Sequence, residues 1–394
     1  MIEYLDYCTT DRQREIITAI HKEGSNRKAA KALGIARQNI DTLVQDVKAR
    51  AAKRGYSPEH GINRPQPDGY ALKGSSALVD ERSGETVLQW YKTDRDRERQ
   101  VELMRDFVTG LIENVPKAKP RKATRKKYRS DLLPSIFIGD AHVGMYAYGP
   151  ETKHSDFDSE IATRQLMEAT DYLVDKMEPS KQGMLVDVGD FMHANTSHDE
   201  TFNGTKLDVD TRHYRVMRKS AMVMRQMISR MLDKVENLTV VVARGNHNPD
   251  AAGAVQLMLE FYYENEPRVR VLPTEGFYHY VEYGKWLFGI HHGDKQKPEA
   301  LAGSMARDMA QAWGRTTHRM WCTGHFHKES VKTLPGCKHK VFGALPPPDA
   351  WHAGQGFMGD GEMEMMTFRK EGGVHSSHVY NIPRPAIEAD VKID

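Results

Sequence analysis

The period of the apolar positions changes along the chain. Residues 10–23 put Ile16, Ile17 and Ile20 on one side of a helical repeat, with Thr10 placed to cap it. Residues 26–33 add small Ala29 and Ala30 and apolar Leu33. Gly34-Ile35 supplies a turn, and Arg37 to about Lys53 carries Ile40 and Leu43. Small residues let helices cross closely and glycine takes the turn's backbone angles, so the pattern predicts a helix-turn-helix module within residues 1–60. Between 62 and 95 the repeat shortens. Turn signals at Pro67-Asp68-Gly69 and Arg82-Ser83-Gly84 accompany the runs 77–79 and 86–88, which suits a β-hairpin, either a wing or a spacer. Residues 94–114 return to a helical stripe of Val101, Met104, Phe107, Val108 and Leu111, fit for core packing or a homodimer seam.

Beyond Pro134 the text alternates short apolar runs with helical stretches. Runs at 135–139, 184–189, 238–243, 286–290 and 319–323 predict strands. Segments 158–177, 211–235, 250–262 and 298–313 predict helices between them. After a loop-rich stretch, 338–344, 362–370 and 373–382 read as further strands, the last two joined at Gly372-Gly373. The five apolar runs each lead into polar residues of one chemical kind. The first reaches Asp140-Ala-His142, the second Gly189-Asp190 with His193 three residues on, and the third Gly245-Asn246-His247. The fourth reaches His291-His292-Gly293 and the fifth Gly324-His325-Phe326-His327. Open α/β sheets build sites at the carboxyl ends of their strands.

Composition and charge sharpen the division. The 394 residues suit two or three units, and no apolar run is long enough for a membrane span. The acidic start MIEYLDYCTT is no secretory leader. Cys8, Cys322 and Cys337 are too scattered for a disulfide framework, which points to a reducing, cytoplasmic setting. The net charge of +2 conceals 27 basic against 18 acidic residues in 1–130, and 29 against 36 in the remainder. Much of the excess is Lys117, Lys119, Arg121, Lys122, Arg125, Lys126, Lys127 and Arg129, so 61–115 is read as hairpin plus helix, 116–130 as a basic linker and 131–394 as a catalytic domain. That stretch is either a solvated tether or a phosphate-binding segment. The second helix of the front pair would present Arg37, Gln38, Asn39, Thr42 and Gln45, side chains long and polar enough for phosphates and base edges. Its pattern resembles the helix-turn-helix domains of phage and bacterial DNA-binding proteins, although such bundles also serve protein contacts.

The ordered set D-x-H, G-D, G-N-H, H-G, G-H-x-H over roughly 134–345 resembles the calcineurin-like metallophosphoesterase superfamily. The resemblance implies a four-layer α/β/β/α sandwich and two divalent cations. The mixed nitrogen and oxygen donors suit manganese first, with iron or zinc as alternatives. It implies that Asp140, His142 and His327 hold one cation and Asn246, His292 and His325 the other, with Asp190 bridging. His247 would stabilise developing charge or protonate the leaving oxygen. His292 is preferred to His291 because the family ligand directly precedes glycine. The family's frequent acid after G-N-H is Asn248 in this chain, and Asp250 is a possible substitute.

The segment Gly189-Asp190-Phe191-Met192-His193 resembles SbcD-type DNA repair nucleases, which implies a strand-positioning role for His193 and DNA as substrate and partner. Only 67 residues follow His327, without a long amphipathic helix pair, and this argues against that branch's coiled-coil ATPase partner. Asn195, Ser197, His198 and Asn203 are further candidates for substrate contact. Leu345 to His352 followed by glycines reads either as a flap whose Trp351 stacks on a base or as an ordered loop. A phosphatase or cyclic-nucleotide phosphodiesterase, and a DNA-binding scaffold with a relict site, are the alternatives carried forward.

Overall fold

The computed structural model describes residues 1–58, 62–63, 70–79, 86–95, 118, 127–273, 275–356 and 359–384. The chain divides into two compact units, Met1–Phe107 and Val108–Asp394.

In the first unit a short 3-10 helix, Ile2–Tyr7, precedes α1 (Asp11–Glu23), α2 (Asn26–Leu33) and α3 (Arg37–Lys53). Side-chain caps start the first two: Thr10 accepts from the Gln13 amide and Ser25 from the Lys28 amide. Gly24 and Gly34 end them in left-handed conformations. Ile16, Ile17, Ile20, Ala29, Ala30, Ile40, Val44 and Val47 then form one core with Tyr4 and Tyr7 of the 3-10 helix. A two-residue pair, β1 (Tyr56–Ser57) with β2 (Ile62–Asn63), follows. The hairpin is longer than its apolar runs suggested: β3 (Tyr70–Val79) pairs antiparallel with β4 (Thr86–Arg95). Backbone pairing continues through polar positions such as Ser75 and Lys92, which carry no apolar signal. Residues 94 and 95 close β4 instead of opening a helix, and the rest of the stripe over 96–114 lies outside the described residues.

The second unit is α/β with two facing sheets. The larger has the order β15-β14-β5-β6-β7-β8, where β5 is Leu132–Ile138, β6 Ser180–Asp187, β7 Val235–Val242, β8 Val269–Val271, β14 Glu362–Arg369 and β15 Val374–Asn381. β5 to β8 are parallel, whereas β14 runs antiparallel to both β5 and β15. The smaller sheet has the order β12-β13-β11-β10-β9, where β9 is His279–Tyr283, β10 Trp286–Ile290, β11 His318–Thr323, β12 Ser330–Leu334 and β13 Cys337–Val341. In it β10, β11 and β13 are parallel.

Between the sheets lie Phe137, Met184, Val186 and Val241 from one side and Phe288, Ile290, Met320 and Cys322 from the other. Strands buried on both faces read as continuous apolar runs, which is why the sequence pattern found them. The helices α4 (Ser159–Lys176), α5 (His213–Met231) and α6 (Pro249–Tyr263) cover the larger sheet. On the smaller sheet α7 (Pro298–Asp308) and α8 (Ala310–Arg315) bury Leu301, Met305 and Ala312 against Leu287 and Trp321. The single helix expected over 298–313 is broken at Met309, whose backbone leaves the helical region (φ −122°, ψ 41°). Among the described residues no helix is long and apolar enough to cross a membrane.

Candidate metal centre

Because β5, β6, β7, β10 and β11 all begin connections from their carboxyl ends, five loops of the second unit reach one place. Asp140 and His142 follow β5, Asp190 and His193 follow β6, and Asn246 and His247 follow β7. His292 follows β10, while His325 and His327 follow β11. The loops turn sharply: His142, Asp190, His325 and His327 sit at φ of +43°, +54°, +71° and +52°. Left-handed backbone is unfavourable for residues with a Cβ, and it concentrates where surrounding structure holds a working geometry. Two glycines make room for it. Gly189 has φ +106°, and a Cβ there would come within 2.6 Å of His292 Nδ1. A Cβ at Gly245 would overlap Asp190 Oδ1.

The two carboxylates are held in the same way. The His325 amide donates to Asp140 Oδ2 and the His247 amide to Asp190 Oδ1, each at 2.8 Å. The second oxygen of each acid faces imidazole nitrogens. Asp190 Oδ2 lies 2.9 Å from His292 Nε2. Among the described residues Asp140 Oδ1 has no hydrogen-bond partner, and it lies 3.8 Å from His292 Nδ1 and 3.9 Å from His327 Nε2. Asn246 Oδ1 approaches the same His292 Nε2 at 2.9 Å, and His292 Nδ1 sits 3.1 Å from the Val188 carbonyl. His142 Nε2 and His327 Nε2 face each other at 3.1 Å. The His325 ring packs edge-on against His292, with centroids 5.0 Å apart.

Among the described residues, donor atoms within 4.8 Å of one another form three groups: Asp140, His142, His327; Asp140, Asp190, His292; and His142, His193, His247. The resemblance gives the bridge to Asp190; in this geometry Asp140 is the carboxylate common to the first two groups.

Electrostatics show what such a cluster can hold. Burial pushes the Asp140 carboxyl up to about 7, against the pull of His292. Burial also opposes charge on Asp190, yet His292 and His247 hold it well below the ordinary carboxylate range. Burial alone would lower His292, but Asp190 and Asp140 raise it to about 10. Burial brings His193 and His327 down to about 3 and takes His142 well below its usual value. Asp190 therefore keeps its charge, burial works against charge on Asp140, and three imidazoles are held neutral, as electron-pair donors. An unsatisfied buried carboxylate oxygen and paired nitrogens aimed at one point fit a divalent transition metal bound by nitrogen and oxygen.

Other expected residues divide into those at the cluster and those away from it. His291 is buried beside Tyr278 and Trp321 and accepts from the Gly293 amide, away from the acids. His193 belongs to the cluster: its Nδ1 is 3.2 Å from His142 Nδ1, and its ring stacks on His247 with centroids 5.3 Å apart. The His247 ring is oriented by the His193 carbonyl, 2.9 Å from Nδ1. Asp250, considered for that task, is bound instead to Asn195 at 2.9 Å and lies 3.7 Å from Arg244. Asn195 in turn accepts from the Asp250 and Ala251 amides at the start of α6.

The segment read as a possible flap is anchored. Leu345 is fully buried and its amide faces the Asp140 carbonyl at 3.3 Å. It leads to α9 (Ala350–Gly354), capped by Asp349. Sequence reasoning missed two features here. His352 stacks on His327 with centroids 4.9 Å apart, and its Nδ1 is 2.7 Å from Asp349 Oδ1. Asp349 carries a capping signal, but nothing local in Pro-Pro-Pro-Asp shows that it returns to the cluster.

In the first unit Arg37, Gln38, Asn39, Thr42 and Gln45 are all exposed on α3, opposite buried Ile40, Val44 and Val47. Arg37 lies 3.3 Å from Asp41, and the Thr42 hydroxyl donates to the Gln38 carbonyl. Of the basic stretch, Lys117, Lys119, Arg121, Lys122, Arg125 and Lys126 lie outside the described residues. Lys127 is exposed, whereas Arg129 is engaged by Asp131 and Glu178 at 2.7 and 3.1 Å.

No family model matches the sequence, and no curated protein matches it. Among solved structures the chain is similar to Vacuolar Protein Sorting 29 from Cryptosporidium parvum, with 15% identity over 64% of this chain and 100% of that one, at a TM-score of 0.30. It is similar to a novel archaeal phosphodiesterase, with 11% identity over 63% and 99% and a TM-score of 0.32. A third is YfcE, a phosphoesterase from E. coli, with 12% identity over 65% and 100% and a TM-score of 0.27.

Proposed function

We propose that this chain is a metal-dependent phosphoester hydrolase acting on DNA. The observation that carries the hydrolase reading is the convergence of Asp140, Asp190 and the imidazoles of His142, His292, His325 and His327 from two sheets. Asp140, His142 and His327 would hold one divalent cation. His292, Asn246, Asp190 and His325 would hold a second, with manganese the first choice for this donor set. When bound, such a pair supplies positive charge to the phosphoryl oxygens and acidifies an attacking water.

The chain's own residues do the rest. The His325 and His247 amides fix one oxygen of each acid, so the other oxygen stays directed at the donor cluster. His247 Nδ1–H donates to the His193 carbonyl, which leaves Nε2 as the atom that exchanges a proton with the leaving oxygen. His193 also packs against His142, which makes it a positioning residue for that ligand. DNA as substrate is supported by the exposed polar face of α3 and by the eight cationic residues between 117 and 129.

The deciding measurement gives the purified chain linear duplex DNA, single-stranded DNA, a cyclic nucleotide, a chromogenic phosphodiester and a phosphomonoester, each with manganese and with chelator. Manganese-dependent cleavage of DNA is the expected result. Hydrolysis of only the small esters would replace DNA with a small phosphoester as substrate, and no hydrolysis of any would leave the cluster as a relict.

A further inference from the structure

We infer that Asp349 and His352 are positioning residues for the cation assigned to Asp140, His142 and His327: the carboxylate locks the His352 ring, and that ring holds the His327 imidazole from its outer side. This rests on the metal assignment of the hydrolase reading and deepens it by naming what keeps one of the two sites in shape. The His352 ring lies nearly parallel to the His327 ring, 19° apart with centroids at 4.9 Å. Its Nδ1–H donates to Asp349 Oδ1 at 2.7 Å, and the His352 amide donates to the same oxygen at 2.8 Å. Among the described residues the other ring against His327 is its fellow ligand His142, tilted at 55°. His327 needs such a hold, because it stands at φ +52° between exposed Phe326 and Lys328 and is itself only partly buried.

The chain brings Asp349 to this place along a fixed path. Residues 345–349 are all buried. Pro346, Pro347 and Pro348 carry no amide hydrogens, so burial leaves no donor unpaired there, and their rings fix φ. Arg384 ties the two ends of the loop, donating to the Leu345 carbonyl at 2.9 Å and to the Asp360 carbonyl at 3.1 Å. Capping of α9 accounts for the amide bond to Asp349, but not for the ring bond or the stack. Burial opposes charge on Asp349, yet the bonds from His352 bring its carboxyl down to about 2, so it stays ionised. The same charge acts on His193, whose Nδ1 lies 3.2 Å from His142 Nδ1. One buried carboxylate thus bears on a neighbour of each imidazole ligand of this cation. Groups that orient ligating histidines set metal affinity as well as geometry.

The test is a calorimetric titration of the metal-stripped full chain with manganese, beside a urea melt in chelator. The unmodified protein should bind two equivalents. Asp349→Ser keeps a capping oxygen but cannot hold the ring. It should weaken one equivalent roughly 10–100-fold, leaving the other and the melt unchanged. His352→Ala should do the same, while Asp349→Asn, which can still accept from the ring, should recover most of the affinity. In a His327→Ala background Asp349→Ser should add nothing, since the ring it acts through is gone. Two unchanged equivalents in both Asp349→Ser and His352→Ala, or a full further loss on top of His327→Ala, would overturn the inference and leave the metal assignment standing. Failure of the unmodified protein to bind manganese would overturn the metal assignment, and the inference with it.

Discussion

The two units use polar residues in opposite ways. On α3 the polar side chains Gln38, Asn39, Thr42 and Gln45 are solvated, and the helix needs only Ile40, Val44 and Val47 beneath them. At the strand ends of the second unit Asp140, His142, Asp190, His193 and His292 are almost wholly buried. Exposed polar residues stabilise nothing in particular and so are compatible with many functions. Buried acids facing buried imidazoles are unfavourable unless something compensates them. The difference teaches where a functional claim can rest on structure: in the second unit burial, left-handed backbone and an unsatisfied oxygen all converge, while the face of α3 offers chemistry without a constraint.

The largest test of that contrast is Asp190→Asn, which keeps the shape and removes the charge. Hydrolysis should fall on the order of a thousandfold or more, as for other groups at the heart of a reacting site. Duplex binding in a gel-shift assay should be retained. Loss of both would show that the units do not work separately. Gly245→Ala should act through crowding, because the new methyl overlaps Asp190 Oδ1. Destabilisation of about 1–3 kcal/mol in a urea titration is expected, together with weaker manganese binding by calorimetry. An unchanged melt and unchanged metal affinity would mean that the G-N-H turn has more room than its geometry implies.

A smaller effect is expected from His193→Ala, which removes a ring packed on His142 and His247 but leaves the carbonyl that holds His247. Metal affinity should drop roughly 10–100-fold, the range for groups that orient ligands. A change confined to DNA cleavage, with metal affinity intact, would assign His193 to the substrate instead. Smallest in stability is the pair Gln38→Ala and Gln45→Ala. The melt of the first unit should move by no more than about 0.5 kcal/mol. Affinity for duplex DNA should fall on the order of tenfold if α3 reads the groove. Unchanged affinity would remove α3 from the DNA-binding proposal and leave the basic stretch as its sole support.

Much of the second unit was legible because its signals are local. Strands such as 184–189 and 286–290 are sandwiched between layers and therefore read as unbroken apolar runs, and helices such as 298–308 keep a helical stripe. Elements with neither signal were missed: the 3-10 helix at 2–7, the short β8, and β12, which is largely exposed and has no apolar repeat. The break at Met309 was hidden too, since α7 and α8 share one apolar face.

At the cluster, the sequence by itself determined the kinds of donors and their place after apolar strands, because residue chemistry and strand periodicity are properties of a short stretch of chain. The family resemblance preferred His292 to His291, and the structure puts His292 against both acids and His291 against Trp321. Only the tertiary structure decided which groups support them. It gave the orientation of His247 to the His193 carbonyl, turned Asn195 and Asp250 toward the start of α6, and returned Asp349 and His352 to His327. The reason is physical: these partners are 54, 55 and more residues apart or joined through a loop, and no local repeat encodes which strand ends will meet when two sheets close face to face.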